Sequence, residues 1–436
     1  MTSCDLKSCY DRVAHTPAVL AMLGYGIPAE PMYSMFHAIQ NMKFITRTAF
    51  GDSEETFGGK EKGFLAKPQG LGQGNGCGPP VWAVVSSRMF EVLHKRGLVT
   101  SFKTPMTKKI LELSGFAFVD DSDILADADS KNNPVETMIN MQKAIDCWEG
   151  VAKSTGGALA PSKSWWYLIH YKWDNKGQWS YGDTSNLTNR NLKPCDKYNK
   201  LIDLEYLPAT QGKKMLGVHL APDGNNKLQF KKMKDKAREL AGFARAGHIK
   251  QHEAWIALQT MAMKSLEYPL PALTMTEDEC EKVMWILIQS FLPKLGINRY
   301  MKRDVIYGSK SKQGLGIKNL FITQGLAHVN DLIEHMWKDT ITGHLIVTEL
   351  HNLRLEVGSN IPILESNYED FSDLILTESW LQHTWKFMSQ HEMILDIETP
   401  KITLARENDE IIMDMFMEAG IKGGRLHRAN RCRMYL

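Results

Sequence analysis

Apolar side chains recur at the spacing of a helix along much of the chain. This spacing predicts helices over seven segments: residues 11–23, 28–42, 81–96, 134–155, 228–246, 252–267 and 277–295. Alternation of polar and apolar residues predicts strands at residues 43–50, 164–173 and 215–220. Two short apolar runs, at residues 113–119 and 122–126, flank Asp120-Asp121 and predict a tight hairpin.

The order of these elements indicates a fold class. A short N-terminal segment ends at Asp5 and leads into the first helix, and a Gly- and Pro-rich loop at residues 63–80 precedes the helix at 81–96. The hairpin, another helix and a strand follow. This order predicts an α+β fold, in which helices back an antiparallel sheet of the split β-α-β type. Beyond residue 300 the pattern is mostly helical.

Composition narrows the class of protein further. The chain has 436 residues, of which 43% are hydrophobic and 23% charged, so we expect a globular protein of two or three domains. No apolar run reaches the roughly 18 residues of a membrane-spanning helix. The cysteines number seven, and no two are separated by two residues. Reduced thiols in an intracellular protein are therefore expected, and both nucleus and cytoplasm fit.

The net charge of +2 conceals a basic middle segment. Residues 151–320 hold 27 Lys and Arg against 15 Asp and Glu, whereas residues 1–150 hold 15 against 17 and residues 321–436 hold 10 against 18. A basic segment between two acidic ones predicts contact with a polyanion such as nucleic acid. The alternative, that these lysines only keep surface helices soluble, stays open.

Carboxylates carry the candidate chemistry. Asp120 and Asp121 lie at the tip of a hairpin with apolar flanks, where like charges repel and need cations. Oxygen ligands without His or Cys nearby favour Mg²⁺. Neighbouring strand residues point to opposite faces, so a third carboxylate is needed, and Asp5 is the candidate. Such a site suits two-metal nucleotidyl transfer. Alone, an Asp-Asp pair is more often a solvated turn.

Five motifs in sequence order resemble the palm of a reverse transcriptase. They are an Asp followed five residues on by an aromatic (Asp5 and Tyr10), Gln-Gly before a Pro (residues 73–79), an aromatic before two Asp (residues 118–121), Gly before Lys (residues 156–163), and Leu216-Gly217-Val218. The residues around these motifs are most similar to those of retroelement enzymes of the non-LTR kind. The resemblance implies RNA-directed DNA polymerase activity, with an RNA template, a DNA primer and deoxynucleoside triphosphates as partners.

The resemblance implies roles for the carboxylates and a lysine. Asp5 and Asp120 would bind two Mg²⁺ ions, for which Mn²⁺ can substitute, and Asp121 would support them. Lys163 would protonate the pyrophosphate leaving group or neutralise its charge. A plain solvated lysine is the alternative for Lys163.

The resemblance also implies contacts to substrate. Tyr10 would lie under the incoming sugar and exclude a 2′-hydroxyl, and Gln73 and Gly74 would lie against nucleotide and template. Leu216 and Gly217 would belong to the primer grip. The alternatives are a core aromatic for Tyr10 and a flexible glycine-rich loop for residues 73–76.

Three segments are expected from the resemblance: a palm at residues 1–220, a helical thumb at 221–300 and a mostly helical extension of unknown role at 301–436. One predicted thumb helix carries basic residues that would follow the phosphates of a duplex: Lys231, Lys232, Lys234, Lys236 and Arg238. A solvated helix face is the alternative.

Departures from the family pattern leave other interpretations open. Members carry a fingers domain before the first motif, whereas four residues precede Asp5 here, and Gly78 stands where Ser is usual. We therefore expect little polymerisation by this chain, and a truncated, inactive remnant that binds nucleic acid is the alternative function. An RNA-templated RNA polymerase is a nearby one, although Tyr10 and Gln73-Gly74 favour a DNA product.

Overall fold

The computed structural model describes residues 1–7, 9–58, 70–72, 74–128, 133–175, 178–184, 187, 191–195, 198–375, 378–396, 406 and 408–435. The chain forms two compact units. The first comprises Met1–Phe102 and Glu112–Ala209, and the second comprises Lys103–Leu111 and Thr210–Leu436.

The strands are short. In chain order, the described residues form β1 Thr2–Asp5, β2 Lys43–Thr48, β3 Gly51–Gly58, β4 Thr100–Lys103, β5 Ile110–Leu113, β6 Gly115–Phe118, β7 Asp121–Ile124, β8 Trp165–Tyr167, β9 Tyr171–Trp173, β10 Trp179–Tyr181, β11 Glu205–Leu207, β12 Lys213–Met215 and β13 Val218–Leu220.

Helices make up most of the rest. In chain order, the α-helices among the described residues are α1 Cys9–Arg12, α2 His15–Gly24, α3 Ala29–Gln40, α4 Gly78–Lys95, α5 Pro134–Ser154, α6 Lys227–Ala246, α7 Gln251–Ile256, α8 Lys264–Glu267, α9 Glu277–Lys294, α10 Arg303–Tyr307, α11 Leu320–His335, α12 Ile341–Val357, α13 Trp380–Gln390, α14 Ile412–Glu418 and α15 Gly424–Tyr435. A π-helical stretch, Ala257–Met263, joins α7 to α8.

A five-stranded sheet in the order β11-β8-β1-β7-β6 organises the first unit. β1 is the middle strand and runs antiparallel to β7 and to β8, and β6 pairs antiparallel with β7. The prediction of an α+β fold is confirmed. The sheet differs from the prediction in one pair, because β11 runs parallel to β8.

Helices α4 and α5 supply much of the core beside this sheet. Their buried side chains, among them Val85 and Trp148, share one cluster with Cys4 of β1 and Ile124 of β7. Alternate strand residues point to opposite faces, so Asp5 and Asp121 lie on the face opposite to Cys4. Proline in the first turn starts both helices, and the side chain of Asn133 caps α5 by accepting the amide of Glu136 at 3.2 Å.

The helix predicted over residues 11–23 is interrupted. The carbonyl of Val13 accepts the amide of Gly70 at 3.0 Å, and the amide of Ala14 donates to Thr155 at 2.8 Å. Pro17 has no N–H to donate to the Val13 carbonyl and would clash with it in a continuous helix, so α1 and α2 form instead and other segments take the freed backbone groups. Amphipathic spacing could not reveal these distant backbone partners.

Two strand predictions also need correction. Residues 164–173 form two strands, since β8 pairs with β1 whereas β9 pairs with β10 in a separate hairpin. Residues 215–220 are not one strand either. Leu216 and Gly217 form the turn between β12 and β13, with φ angles of 47° and 89°.

The second unit is helical around the β12–β13 hairpin. One buried cluster runs from Val218 through α6 and α9 to Met388 of α13. Residues on both sides of position 300 thus share a core, so the predicted boundary between thumb and extension does not coincide with a break in packing.

Among the residues described, no helix combines the length and the apolar composition needed to cross a bilayer.

Candidate active site

Two of the predicted acids meet across neighbouring strands. Asp5 is the register partner of Asp121 in the antiparallel pair β1–β7. Directly opposite residues project to the same face, with Cβ atoms about 4.5–5.5 Å apart. Asp5 is the last residue of β1, and Asp121 is the first residue of β7, directly after the turn of the β6–β7 hairpin. Their carboxylates therefore lie on one face at one end of the sheet.

Asp120 lies in the two-residue turn of the β6–β7 hairpin, which is closed by the partners Phe118 and Asp121. The other turn residue, Val119, has a φ angle of 59°. The amide of Leu6, which follows Asp5, donates to the carbonyl of Asp120 at 3.4 Å. The tip of the hairpin is therefore bonded to the chain that follows β1.

The charges of the neighbouring acids act on Asp121. Burial raises the pKa of Asp121, and the charges of Asp120 and Asp5 raise it further. Lys163 opposes this rise. Its ammonium lies 3.3 Å from Oδ2 of Asp5, whose side chain is 17% exposed against 73% for Lys163. Lys163, placed by a 3₁₀ turn at Pro161–Lys163, is thus a counter-ion to the acids.

The donor chemistry fits Mg²⁺ or Mn²⁺, because the three carboxylates form a hard-oxygen set. The nearby Cys9 does not change this fit, because burial and the charge of Asp120 raise the pKa of its thiol to about 12 and keep it protonated. The side chains as placed do not form a finished coordination shell. Across the described ranges, no group of three or more His, Cys, Asp or Glu side chains is arranged to hold a metal ion. The division of roles among Asp5, Asp120 and Asp121 therefore stays a prediction.

Asp123 is an acid that the sequence analysis missed. It lies two residues after Asp121 on the same face of β7, opposite Ser3 of β1. Burial raises its pKa to about 6, and a hydrogen bond from Ser3 opposes that rise. The spacing Asp121-x-Asp123 was the available signal, since residues two apart in a strand share a face.

Tyr10 lies on α1, half-buried, between the acids and the start of α4. Its backbone carbonyl accepts the amide of Leu71 at 2.7 Å. A Cβ on Gly78, in the first turn of α4, would lie 3.7 Å from the Tyr10 ring. Burial raises the pKa of Tyr10, and the charges of Cys9 and Asp120 raise it further.

A groove of ≈ 730 Å³ lies beside the hairpin tip. Helix α4 and strand β6 provide most of its lining, which combines aromatic side chains with polar ones such as Ser86, Glu91 and Lys95. Residues at its walls include Tyr10, Trp82, Phe90, Phe116, Phe118 and Val119. The groove therefore places several aromatic rings beside Val119, the residue that precedes Asp120.

The glycine-rich segment before α4 is partly described. Gln73 lies outside the described residues, and its predicted contact to nucleotide stays a prediction. Gly74 has a φ of 85°, and no atom would lie within 4 Å of a Cβ placed on it. Gly70 approaches α1 closely, because a Cβ there would lie 2.6 Å from the backbone of Asp11.

The remaining predicted residues lie in the second unit. Leu216 and Gly217 form the tip of the β12–β13 hairpin, and the Tyr268 hydroxyl donates to the carbonyl of Leu216 at 2.6 Å. Their predicted role in a primer grip stays a prediction.

The basic residues of α6 separate into two lines. At 3.6 residues per turn, Lys231, Lys234 and Arg238 follow one line together with Lys227 and Arg245. Lys232 and Lys236 lie on a different side of the helix. Arg238 pairs with Asp235 at 2.8 Å and Lys236 with Glu239 at 3.0 Å. The first line, which has no basic residue between Arg238 and Arg245, is a basic stripe that we call the α6 stripe.

No protein-family model matches the chain, and no curated protein is similar to it in sequence. Two solved structures are similar at a TM-score of 0.30: apo telomerase from Candida tropicalis, at 11% identity, and the telomerase from Candida tropicalis in complex with a TWJ fragment of telomeric RNA, at 12% identity. Each match covers 80% of this chain and 52% or 48% of the telomerase chain. The chain thus spans about half the length of these telomerase chains.

Proposed function

We propose that the first unit is the palm of an RNA-directed DNA polymerase of the non-LTR retroelement kind. The observation that carries the proposal is the register of Asp5 with Asp121, beside a turn that presents Asp120. Three carboxylates that repel one another, with one lysine as counter-ion, form a site that gains stability when it binds divalent cations.

In the proposed reaction, the primer 3′-oxygen bonds to the α-phosphorus of a deoxynucleoside triphosphate while the bond to the bridging oxygen breaks and pyrophosphate leaves. Asp5 and Asp120 would hold two Mg²⁺ ions, with Asp121 in support. These ions, when bound, supply neutralisation of charge on the phosphate oxygens. Lys163, exposed and 3.3 Å from Asp5, would protonate or neutralise the leaving pyrophosphate.

Tyr10 and the groove beside it would receive the nucleotide. The ring lies between Asp120 and the first turn of α4, where it would occupy the space of a 2′-hydroxyl and favour deoxynucleotides. A Cβ placed on Gly74 would have no atom within 4 Å, and the glycine would let the backbone approach nucleotide and template closely. Gln73 would lie against the same ligands.

The template and primer would contact the second unit through its basic residues. Lys231, Lys234 and Arg238 of the α6 stripe would neutralise phosphates along a duplex, since a helix with basic residues on one line can follow a phosphate backbone. An RNA template and a DNA primer are the proposed partners.

Primer extension on an RNA template tests this proposal. Wild-type protein should extend the primer with Mg²⁺ and deoxynucleotides, even if slowly, and Asp120→Asn should abolish extension because an amide holds no cation. Asp146→Asn, on the exposed side of α5, is the matched control and should extend normally. Extension by Asp120→Asn at the wild-type rate would refute the role of this acid.

A non-catalytic protein that binds nucleic acid is the second candidate. It is favoured by the basic stripe on α6 and by the side chains of the acids, which are not arranged as a coordination shell within the described residues. This candidate would be supported if the protein binds a duplex but does not extend a primer, and if Asp120→Asn leaves the duplex binding unchanged.

A further inference from the structure

The turn that carries Asp120 adopts a conformation that its sequence disfavours. Val119 has a φ of 59°. Backbone sterics make positive φ rare for residues other than glycine, and a β-branched residue is a clear outlier there. Something beyond local preference must therefore hold the turn in place.

A buried donor on α4 is bonded to this turn. The indole Nε1–H of Trp82 donates a hydrogen bond to the carbonyl oxygen of Val119. Trp82 lies on α4 and is 5% exposed, packed in the core of the first unit. Packing in this core restricts the ring, so the donor has a defined position.

The orientation of one peptide links this bond to the acid. The carbonyl of Val119 belongs to the peptide that precedes Asp120, so rotation of that peptide changes both the φ of Asp120 and the direction of its side chain. We propose that Trp82 is a positioning residue, whose indole locks the Val119–Asp120 peptide and thereby aims the Asp120 carboxylate toward Asp5 and Asp121.

The lock works together with a second bond on the other side of the turn. The amide of Leu6 donates to the carbonyl of Asp120 at 3.4 Å. The two carbonyls of the turn are thus bonded to separate elements, α4 and the chain after β1. Without Trp82, the Leu6 bond alone does not hold the carbonyl of Val119, so Val119 is free to relax toward negative φ and to carry Asp120 with it.

Binding of Mn²⁺ alone, followed by electron paramagnetic resonance, tests the lock without polymerisation. The inference rests on the proposed function, because it assumes that the acids bind a divalent cation. Trp82→Phe removes the donor but keeps an aromatic ring, and we expect its dissociation constant for Mn²⁺ to rise about tenfold, the effect of losing one hydrogen bond to a buried acceptor. Wild-type protein that binds no Mn²⁺ would refute the proposed function itself, whereas equal binding by wild type and Trp82→Phe would refute only the lock.

A rescue variant separates positioning from general damage. Glycine adopts positive φ at no steric cost, so Trp82→Phe/Val119→Gly should bind Mn²⁺ within about twofold of Val119→Gly. A double variant as weak as Trp82→Phe would overturn the proposal. Trp385→Phe is the matched control, since the buried Trp385 indole donates to the carbonyl of Ser366 at 2.8 Å in the second unit. It should lose thermal stability and keep its Mn²⁺ affinity.

A further pair of variants decides the question if Trp82→Phe does not fold. Val119→Gly and Val119→Ala both lose the packing of valine, but only glycine escapes the steric cost of positive φ. Tighter Mn²⁺ binding by Val119→Gly than by Val119→Ala would support a held positive φ. Equal binding would overturn it.

Discussion

Nζ of Lys163 and Oδ2 of Asp5 lie 3.3 Å apart, which makes an exposed ammonium the nearest counter-ion of a largely buried carboxylate. The same lysine lowers the pKa of Asp121, against burial and the charges of Asp120 and Asp5. A divalent cation at these acids would take over the neutralisation that Lys163 provides. Lys163 and the cation are therefore expected to compete.

Lys163→Met should raise the affinity for Mn²⁺ severalfold, because removal of a positive charge about 4 Å away contributes on the order of 1 kcal/mol at an exposed site. Primer extension should fall at the same time, since the leaving pyrophosphate loses its proton donor. Titration of Mn²⁺ and primer extension measure the two effects. Lys193→Met is the control, because Lys193 forms a comparable pair with Asp203 at 3.4 Å. A Lys163→Met protein with weaker Mn²⁺ binding would contradict the competition.

Asp121→Asn should stabilise the metal-free protein at pH 7. The folded protein raises the pKa of Asp121, so ionisation of this carboxyl opposes folding, and that cost grows as pH rises past its unfolded value. The amide removes the cost. Thermal unfolding in a chelator should show a higher midpoint than wild type at pH 7 and a smaller difference near pH 4. A lower midpoint at pH 7 would show that other groups of the folded protein already stabilise the charge of Asp121.

Tyr10→Ala should increase ribonucleotide incorporation relative to deoxynucleotide incorporation, because the ring would no longer fill the space of a 2′-hydroxyl. Extension with each nucleotide set, by protein that polymerises, measures the ratio. Tyr25→Ala is the matched control, since Tyr25 lines the same groove but its hydroxyl donates to Glu91 at 2.8 Å. Unchanged sugar discrimination in Tyr10→Ala would assign the gate to another residue.

Replacing Lys231 and Lys234 by Gln should weaken duplex binding and lower its salt dependence. Each phosphate contact contributes about −0.9 to the slope of log K against log salt, so the pair should reduce the slope by up to about 2. The matched control replaces Lys232 and Lys236, which lie on a different side of α6. Equal losses from the two pairs in gel-shift titrations would rule out a directional stripe.

The second unit should lose stability in mild acid. Burial lowers the pKa of His383 to about 4, and burial together with the charge of His383 lowers that of His328 to about 4. Their neutral forms are needed in the fold, so stability is complete above the unfolded pKa near 6.5 and is lost as pH falls toward 4. At pH 5 the loss amounts to at most about 2 kcal/mol per histidine.

His328→Phe tests this acid sensitivity, because a phenyl ring keeps the aromatic contact to Trp380, whose centroid lies 5.0 Å away, and cannot ionise. The urea midpoint of this variant should fall less between pH 7.5 and pH 5 than that of wild type. The exposed His248 provides a control variant with unchanged pH dependence. A wild-type midpoint independent of pH would mean that the histidines are solvated.

The sequence predicted the hairpin around Asp120-Asp121 and the helices that back the sheet, because local periodicity encodes both. It did not predict which acid lies opposite Asp5, since strand register depends on pairing between segments more than a hundred residues apart. The break between α1 and α2 did have a local signal, Pro17, which the apolar spacing outweighed in the prediction of one helix. The sequence likewise did not predict the hydrogen bond from Trp82 to Val119, because the apolar spacing of a helix does not show where an indole N–H points.

The central place of β1 has a consequence for how fast the protein reaches its native state. The amide of Asp5 donates to the hydroxyl of Ser164, 159 residues along the chain, and both neighbours of β1 are comparably distant in sequence. Sheets closed by such contacts have high contact order and refold slowly. Until β1 enters, β7 and β8 present unpaired edges to other chains. Recovery of folded protein after dilution from denaturant should therefore depend steeply on protein concentration and improve with a chaperone that shields open strands.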